Sequence, residues 1–494
     1  MKRVLSLLLV FAMLFTALVF SLASCGEEET KKKSEGTKNT NTLAGEGDIF
    51  AERAAIPDEL GEYDFGGRPL RIVSHNPSDF FVKEENRNKG NLIADAKFNR
   101  NKTVEDRFNF EIKVAYEGAY YDVTAWVSKT VLAGSDEFDL FDSHSASAGA
   151  LVLKNLFLNW YDIPNVDFSK PWWSSACANE LTYDGKCILA VSDFNHVAIT
   201  SAYCLIFNKN LANAYDMGNL YEVVNNGDWT FEYFYNLIKD VYVDSDGDGE
   251  KSLGDFYGFE QDHWYSCPIS AWLWAFDNPI CEKDEDGVPA IAIKTDKINA
   301  ICSAIYDMCY NTKGVQYEAN NDKMYNTLFF EKKAIFTMGG LGSPAGEKLR
   351  NFEDDYGILP LPKWDENQDK YYTMSPGEHT VLAVPKTVKD TEFVGTCIEA
   401  LSAESYKQVV PSLYEIALKT RYLRDNESKE VLDLIIEGRT YDFGYIYGAG
   451  DTFGFMLANL MQKGSSNFES YYNSKYRGAR YHIKQIVKIF DKIS

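Results

Sequence analysis

The densest run of metal-type ligands in the chain is Asp244-Ser-Asp-Gly-Asp-Gly-Glu-Lys-Ser-Leu-Gly-Asp255. With Asp244 as position 1, carboxylates fall at positions 1, 3 and 5 (Asp244, Asp246, Asp248) and Gly249 takes the sharp turn. The Glu250 carbonyl, Ser252 at position 9 and Asp255 at position 12 complete the set. Alternate residues of a tight loop converge on one centre, and an all-oxygen set suits a hard cation, so the spacing predicts a structural Ca2+ loop. Glutamate is usual at the last position; the shorter Asp255 arm weakens bidentate contact. A solvated acidic turn has the same composition and is the competing reading.

Other chemistry is harder to find. The chain contains no H-E-x-x-H, G-x-S-x-G, Walker A or G-x-G-x-x-G pattern, and its six histidines form no pair at helical spacing. Carboxylates are abundant enough to supply a glycosidase pair, but nothing singles one out. Lys and Arg total 50 against 73 Asp and Glu, a formal charge of −23. That balance repels phosphate backbones and anionic headgroups, and argues against nucleic-acid binding. Aromatic residues make up 14% of the chain, which suits a thick core or flat surfaces for stacking on a ligand.

The N-terminus carries a targeting signal. Lys2 and Arg3 precede the apolar run from Val4 to Leu22, which ends in Leu22-Ala-Ser-Cys25. This is a secretory signal with small residues before a cysteine, and it resembles bacterial lipoprotein signals, which implies cleavage before Cys25 and lipidation of its thiol. A retained membrane-spanning helix and a plain secretion signal are the alternatives. Residues 26 to 48 are almost free of apolar side chains and read as a flexible tether. Eight further cysteines, Cys177 to Cys397, show no C-x-x-C spacing. Several lie in apolar runs, where cysteine behaves as a small hydrophobe; free thiols and one or two disulfides are both allowed.

At 494 residues the chain has room for more than one domain. Residues 63 to 73 predict a turn and a strand stopping at Ser74-His75-Asn76, followed by a helix over Asn91 to Phe108 and strands at Phe110 to Val114 and Phe138 to Asp142. Alternation of this kind predicts an α/β fold with a largely parallel sheet and helices on both faces. Ligands of such sheets bind beyond the carboxyl ends of the strands, where His75, Asn76, Asp142 and His144 fall. The stretch Gly185 to Leu211 predicts two buried strands, Cys187 to Val191 and Val197 to Phe207, handing the chain to a second lobe. Thr230 predicts an N-cap for a helix with Phe231, Phe234, Leu237, Ile238 and Val241 on one face. Ala479 to Ile493 predicts a final amphipathic helix packed on the second lobe.

Several motifs occur in a characteristic order: Lys170-Pro-Trp-Trp173, Gly185-Lys186, Ile206-Phe-Asn-Lys-Asn-Leu211, Trp229-Thr230, Phe329 to Gly340, Tyr356 to Trp364 with its Pro360-Leu-Pro-Lys363, and Val381 to Pro385. Together, over roughly residues 63 to 490, the chain resembles extracellular solute-binding proteins of the maltose-binding-like family. The resemblance implies a two-lobed fold with crossing hinge strands. Residues 1–24 would be the signal peptide, 25–60 the lipid-anchored tether, 66–200 and 361–403 lobe 1, and 201–360 and 404–494 lobe 2. It further implies a protein on the extracytoplasmic face of the membrane that binds an oligosaccharide, delivers it to the permease of an ABC importer and does no chemistry. A secreted glycan-active enzyme and an adhesion or structural lipoprotein are the alternatives. By resemblance Trp264 and Tyr265 stack on the sugar, with Asn76, Asp142, His144, Glu378 and Tyr445 as polar partners. The Ca2+ loop would pin the fold rather than touch ligand.

Overall fold

The computed structural model describes residues 49–493 except 88, 264–266, 294, 319–325, 343–347, 350, 414–425 and 450–452. Cys25, Trp264 and Tyr265 therefore lie outside the described residues. Residues 48–494 form one compact unit. No helix among the described residues is long and apolar enough to cross a membrane.

The chain opens with β1 (Arg68–Ser74), α1 (Leu92–Phe108), β2 (Phe110–Glu117), α2 (Tyr120–Leu132), β3 (Leu140–His144) and α3 (Ser145–Val152). Asn91 starts α1 by accepting from the Ala94 amide, and Asn109 ends it in the left-handed region, each a conformation its short amide tolerates. β1 pairs in parallel with both β2 and β3. Alternation along β1 sends Leu70 and Ile72 into a cluster with Val104, Phe108 and Phe393, and Val73 into one with Val123, Val127 and Leu151. The sheet is thus covered on both faces, as predicted.

Next come α4 (Ser175–Leu181), α5 (Val197–Thr200), β4 (Tyr203–Asn208), α6 (Phe231–Ile238), β5 (Tyr242–Val243), β6 (Phe256–Gln261) and α7 (Cys267–Ala275). They are followed by β7 (Val315–Tyr317), β8 (Ala334–Gly340), β9 (Tyr356–Leu359), β10 (Thr373–Met374), β11 (Thr380–Ala383), α8 (Thr391–Glu404), β12 (Arg439–Thr440) and α9 (Phe468–Phe490). β11 closes the first sheet antiparallel to β3, giving the order β11-β3-β1-β2. The second sheet runs β9-β4-β8-β6-β5 with β7 beside β6. β4 is antiparallel to β8 and β9, whereas β8 and β7 are parallel to β6. The second sheet is therefore mixed, where the sequence suggested largely parallel pairing. All strands of the first sheet lie within 68–144 and 380–383, and all of the second within 203–359, so the chain crosses between these sheets after α3 and again before β11.

The stretch Gly185 to Leu211 departs from its predicted form in an instructive way. Cys187 to Val191 is buried but bends at Leu189 and shares only a bridge, Ala190 with Leu382 of β11, hydrogen-bonded in both directions at 3.0 and 2.8 Å. The expected strand from Val197 divides into the single turn α5 and then β4. Asn195 causes the break: its side-chain oxygen accepts from the Val197 amide and starts a helical turn. β4 itself ends as the sequence indicates, with Asn208 accepting from the Leu211 amide. Thr230 caps α6 through the Tyr233 amide, and α9 begins at Phe468, well before the predicted Ala479.

Arg100 ties α1 to the segments around Phe80, Phe194 and Ser405. It is fully buried and donates to the carbonyls of Phe80 and Phe194, to Ser405 Oγ and to Asn101 Oδ1. Burial pulls its guanidinium down to about 9, and the nearby Asp142 and Glu105 charges only partly offset that. A fork of five donors is the side chain that satisfies two carbonyls and two side-chain oxygens from one position. The eight cysteines of the folded unit are all free, and seven are buried, so they act as small core residues.

Candidate functional site

The carboxyl ends of β1 and β3 come together on one wall. His75 and His144 meet edge to face with ring centres 5.8 Å apart, and His144 stacks on Tyr120, the first residue of α2, at 4.5 Å. Tyr120 is 45% and Tyr121 62% exposed, and their rings touch edge to face. Ser143 Oγ sits 3.2 Å from His75 Nδ1. The sequence reading missed both tyrosines, although adjacent aromatics at a helix start, just after Gly118, are where flat polar-tipped faces turn outward. Of the predicted residues, His144 is on this wall. Asn76 is exposed beside it but is tied into its own turn, donating to Asp79 Oδ1 and accepting from Ser78 Oγ.

Asp142 does not reach the surface. It is 0% exposed and accepts twice from Asn195 Nδ2, at 3.1 and 3.0 Å, so it braces the wall from behind instead of facing a solute. Burial, reinforced by the Asp79 charge, pushes its carboxyl up to about 8. Burial likewise pulls His144 down to about 3 and His379 to about 4, and lowers His75. At neutral pH this wall is accordingly polar, aromatic and almost uncharged.

Glu378 stands on the loop Ser375–His379 that leads into β11. It is exposed, yet enough protein surrounds it that burial raises its carboxyl, the combination expected of a side chain in a cleft. Its charge acts on the Cys267 thiol at the start of α7, which Tyr203 of β4 also bonds. Glu378 and the first turn of α7 are thus near enough for the Glu378 charge to be felt there. Tyr445 is placed differently from its predicted role. It is 4% exposed, accepts from the Gly377 amide at 3.0 Å and packs edge to face on Trp274 and Phe455, so it holds the Glu378 loop instead of presenting a face to ligand.

A separate cavity of about 340 Å3 is lined by Glu180, Trp274, Asn278, Tyr372 and Asp442 among others, and by none of the predicted ligand residues. Asp442 at its edge accepts from Trp274 Nε1 and the Tyr445 amide, and Lys283 Nζ reaches across to the Asn179 carbonyl at 2.7 Å.

In the acidic loop, carboxylate oxygens of Asp244, Asp246 and Asp255 lie within 4.8 Å of one another. Asp248 is not part of that group; its Oδ1 accepts from the Glu250 amide. Asp244 accepts from the amides of Gly247 and Gly249, and Asp255 from those of Ser245 and Ser252, so the loop is held in its curl by its own acids. The Asp248 amide pulls the Asp246 carboxyl down, but desolvation and the Asp248, Asp255 and Asp244 charges outweigh it and leave it raised.

No family model matches the chain, and no curated protein does. Solved structures do. The maltose/maltodextrin-binding domain MalE of Bdellovibrio bacteriovorus, bound to maltotriose, is 14% identical with a TM-score of 0.51, over 85% of this chain and 100% of its own. The GacH receptor of Streptomyces glaucescens, solved unliganded and with acarbose, is 12% identical with a TM-score of 0.53, over 84% and 99%. The ABC substrate-binding protein Lmo0181 of Listeria monocytogenes, in complex with cycloalternan, is 13% identical with a TM-score of 0.50, over 86% and 99%.

The buried Asp142 yields a pH prediction. Its folded value lies above the unfolded 3.8, so the stability it contributes is fully present below about pH 4 and is lost as the pH rises toward 8. The depressed histidines act in the opposite sense, losing stability as the pH falls below 6.5. The difference between wild type and Asp142→Asn isolates the carboxyl: thermal melts should show the wild type falling relative to the variant between pH 4 and pH 8. A constant difference across that range would mean that Asp142 is ionised in the folded protein. With its strands, crossings and walls so arranged, the chain has the two-lobed α/β fold of the periplasmic-binding-protein type.

Proposed function

We propose that this protein captures an oligosaccharide outside the cell and delivers it to the permease of an ATP-driven importer, contributing no chemistry of its own. The observation that carries the reading is the uncharged wall of Tyr120, His144 and His75, with Glu378 on the loop between the lobes. Sugars offer C–H faces that rest on aromatic rings and hydroxyls that need neutral donors and acceptors. An ionic solute would require a fixed counter-charge, and burial has removed most of the charge here. The similar structures carry maltotriose, acarbose and cycloalternan, saccharides or close relatives of them, and this supports the same ligand class. Trp264 and Tyr265, just ahead of Cys267, complete the stacking set in this proposal. Two lobes that meet ligand from both sides are more closed when loaded, and a transporter can read closure as cargo.

The leader supports a lipid anchor at Cys25, which would keep the protein on the outer face of a membrane. The acidic loop supports a structural Ca2+ held by Asp244, Asp246 and Asp255, with the Glu250 carbonyl, Ser252 and Asp248 directly or through water.

In calorimetry with linear and cyclic gluco-oligosaccharides, Tyr120→Ala should weaken the best ligand by roughly tenfold or more, with little change in the melting temperature of the unliganded protein. An unchanged affinity would remove Tyr120 from the site, and shortening of the oligosaccharide on long incubation would favour the glycan-active enzyme. Calcium at about a hundred times its Kd should raise the melting temperature by several degrees, and Asp246→Ala should abolish the rise. An Asp246→Ala protein that responds like wild type would leave the loop a solvated turn.

A further inference from the structure

Between Ser470 and Phe490 the chain has five Lys and Arg and no Asp or Glu, within a protein of formal charge −23. This is α9. At 3.6 residues per turn, Arg477, Arg480, Tyr481, Lys484 and Lys488 fall within an arc of roughly 100° and along roughly 16 Å of helix. The buried residues Phe468, Ala479, Ile483, Ile486 and Phe490 occupy the opposite face and fasten the helix to the body of the protein. All four cations on the stripe are exposed, and Tyr481 is 61% exposed in their midst. Among the described residues no carboxylate pairs with any of them; Glu469 and Asp491 stand at the helix ends, beyond the stripe. Tyr476, Arg477, Arg480, Tyr481 and Lys484 also enclose a depression of about 300 Å3.

We infer that this stripe docks on the anionic headgroups of a lipid bilayer and orients the protein on the membrane that carries it. Net charge alone argues the reverse, since the molecule as a whole should be repelled. The screening length decides the matter. At physiological ionic strength charges interact over about 8 Å, so a bilayer touching α9 feels the stripe and little of the acidic surface beyond it. Each basic residue near an anionic bilayer raises affinity by a factor of about five. Arginine and lysine stems reach over apolar surface while their heads engage phosphate, and an exposed tyrosine between them sits naturally at the level of the headgroups. The inference rests on the proposed anchor at Cys25 only for its biological setting.

The test uses the chain from Cys25 onward with Cys25→Ser, so that no lipid contributes, and mixes it with vesicles. Wild type should co-sediment with phosphatidylglycerol vesicles at about 50 mM salt, not with phosphatidylcholine vesicles, and should be released at high salt. The triple variant Arg477→Glu, Arg480→Glu, Lys484→Glu should bind at least about a hundredfold more weakly. Its melting temperature should match wild type, because all three side chains are exposed. Equal binding by wild type and variant, or no binding of wild type to anionic vesicles, overturns the proposal. Release by low millimolar inorganic phosphate overturns it too, since the depression would then be a site for free phosphate. If the variant instead loses only its complex with the permease, the stripe is a protein interface and the lipid assignment falls. Mass spectrometry of Cys25 reads the anchor separately, so failure of one reading leaves the other standing.

Discussion

The arrangement of this molecule depends on a close approach at Gly377. A side chain there would come within 2.7 Å of Ala146 Cβ and 2.9 Å of the Tyr445 hydroxyl, so only glycine lets the loop pass between them. The Gly377 carbonyl accepts from Ser145 Oγ and the Ala146 amide, and its own amide donates to Tyr445. Gly149, one turn further along α3, meets the Ile446 carbonyl in the same manner, with 2.4 Å left for a Cβ. The start of α3, the loop bearing Glu378 and the segment after β12 are therefore fixed against each other by backbone contacts that tolerate little variation. A cleft residue on a loop is useful only if the loop does not wander.

Desolvation is the second organising term. Residues that in water would carry charge, among them Asp142, His144 and His379, are driven toward their neutral forms by burial. The cost is met by local hydrogen bonds, such as the pair from Asn195 to Asp142, and by the donor fork of Arg100 behind them. The chain is strongly acidic overall, yet the wall at the strand ends is electrically quiet. Surface acidity favours solubility; in the proposed function, interior neutrality would set what the cleft accepts.

Much of the architecture was legible because it rests on periodicity and caps. β1, α1, β2 and β3 lie within a few residues of where the apolar pattern puts them, and the Thr230 cap does what its side chain suggests. The stretch around Val197 was misread because apolar content alone does not distinguish a strand from a buried helical turn, and the deciding contact, Asn195 to the Val197 amide, is a local hydrogen bond. The site was less legible. His144 and Glu378 do lie where the sequence put them, at a strand end and on a crossing segment, with Glu378 exposed. Asp142 and Tyr445 have suitable chemistry in suitable places, but their side chains turn inward, and burial depends on packing partners far away along the chain. Tyr120 and Tyr121, adjacent aromatics at a helix start, went unread because that pattern alone does not show which way their rings turn; their exposure does.

In the proposed function two lobes close on a saccharide held against an uncharged aromatic wall. Small-angle scattering, with and without a saturating oligosaccharide, tests it most directly, because closure shortens the molecule whatever the identity of the contacting residues. With ligand the radius of gyration should be smaller, approached in a saturable manner and unchanged by sugars that do not bind. A radius unchanged by a ligand that calorimetry shows to be bound would contradict it.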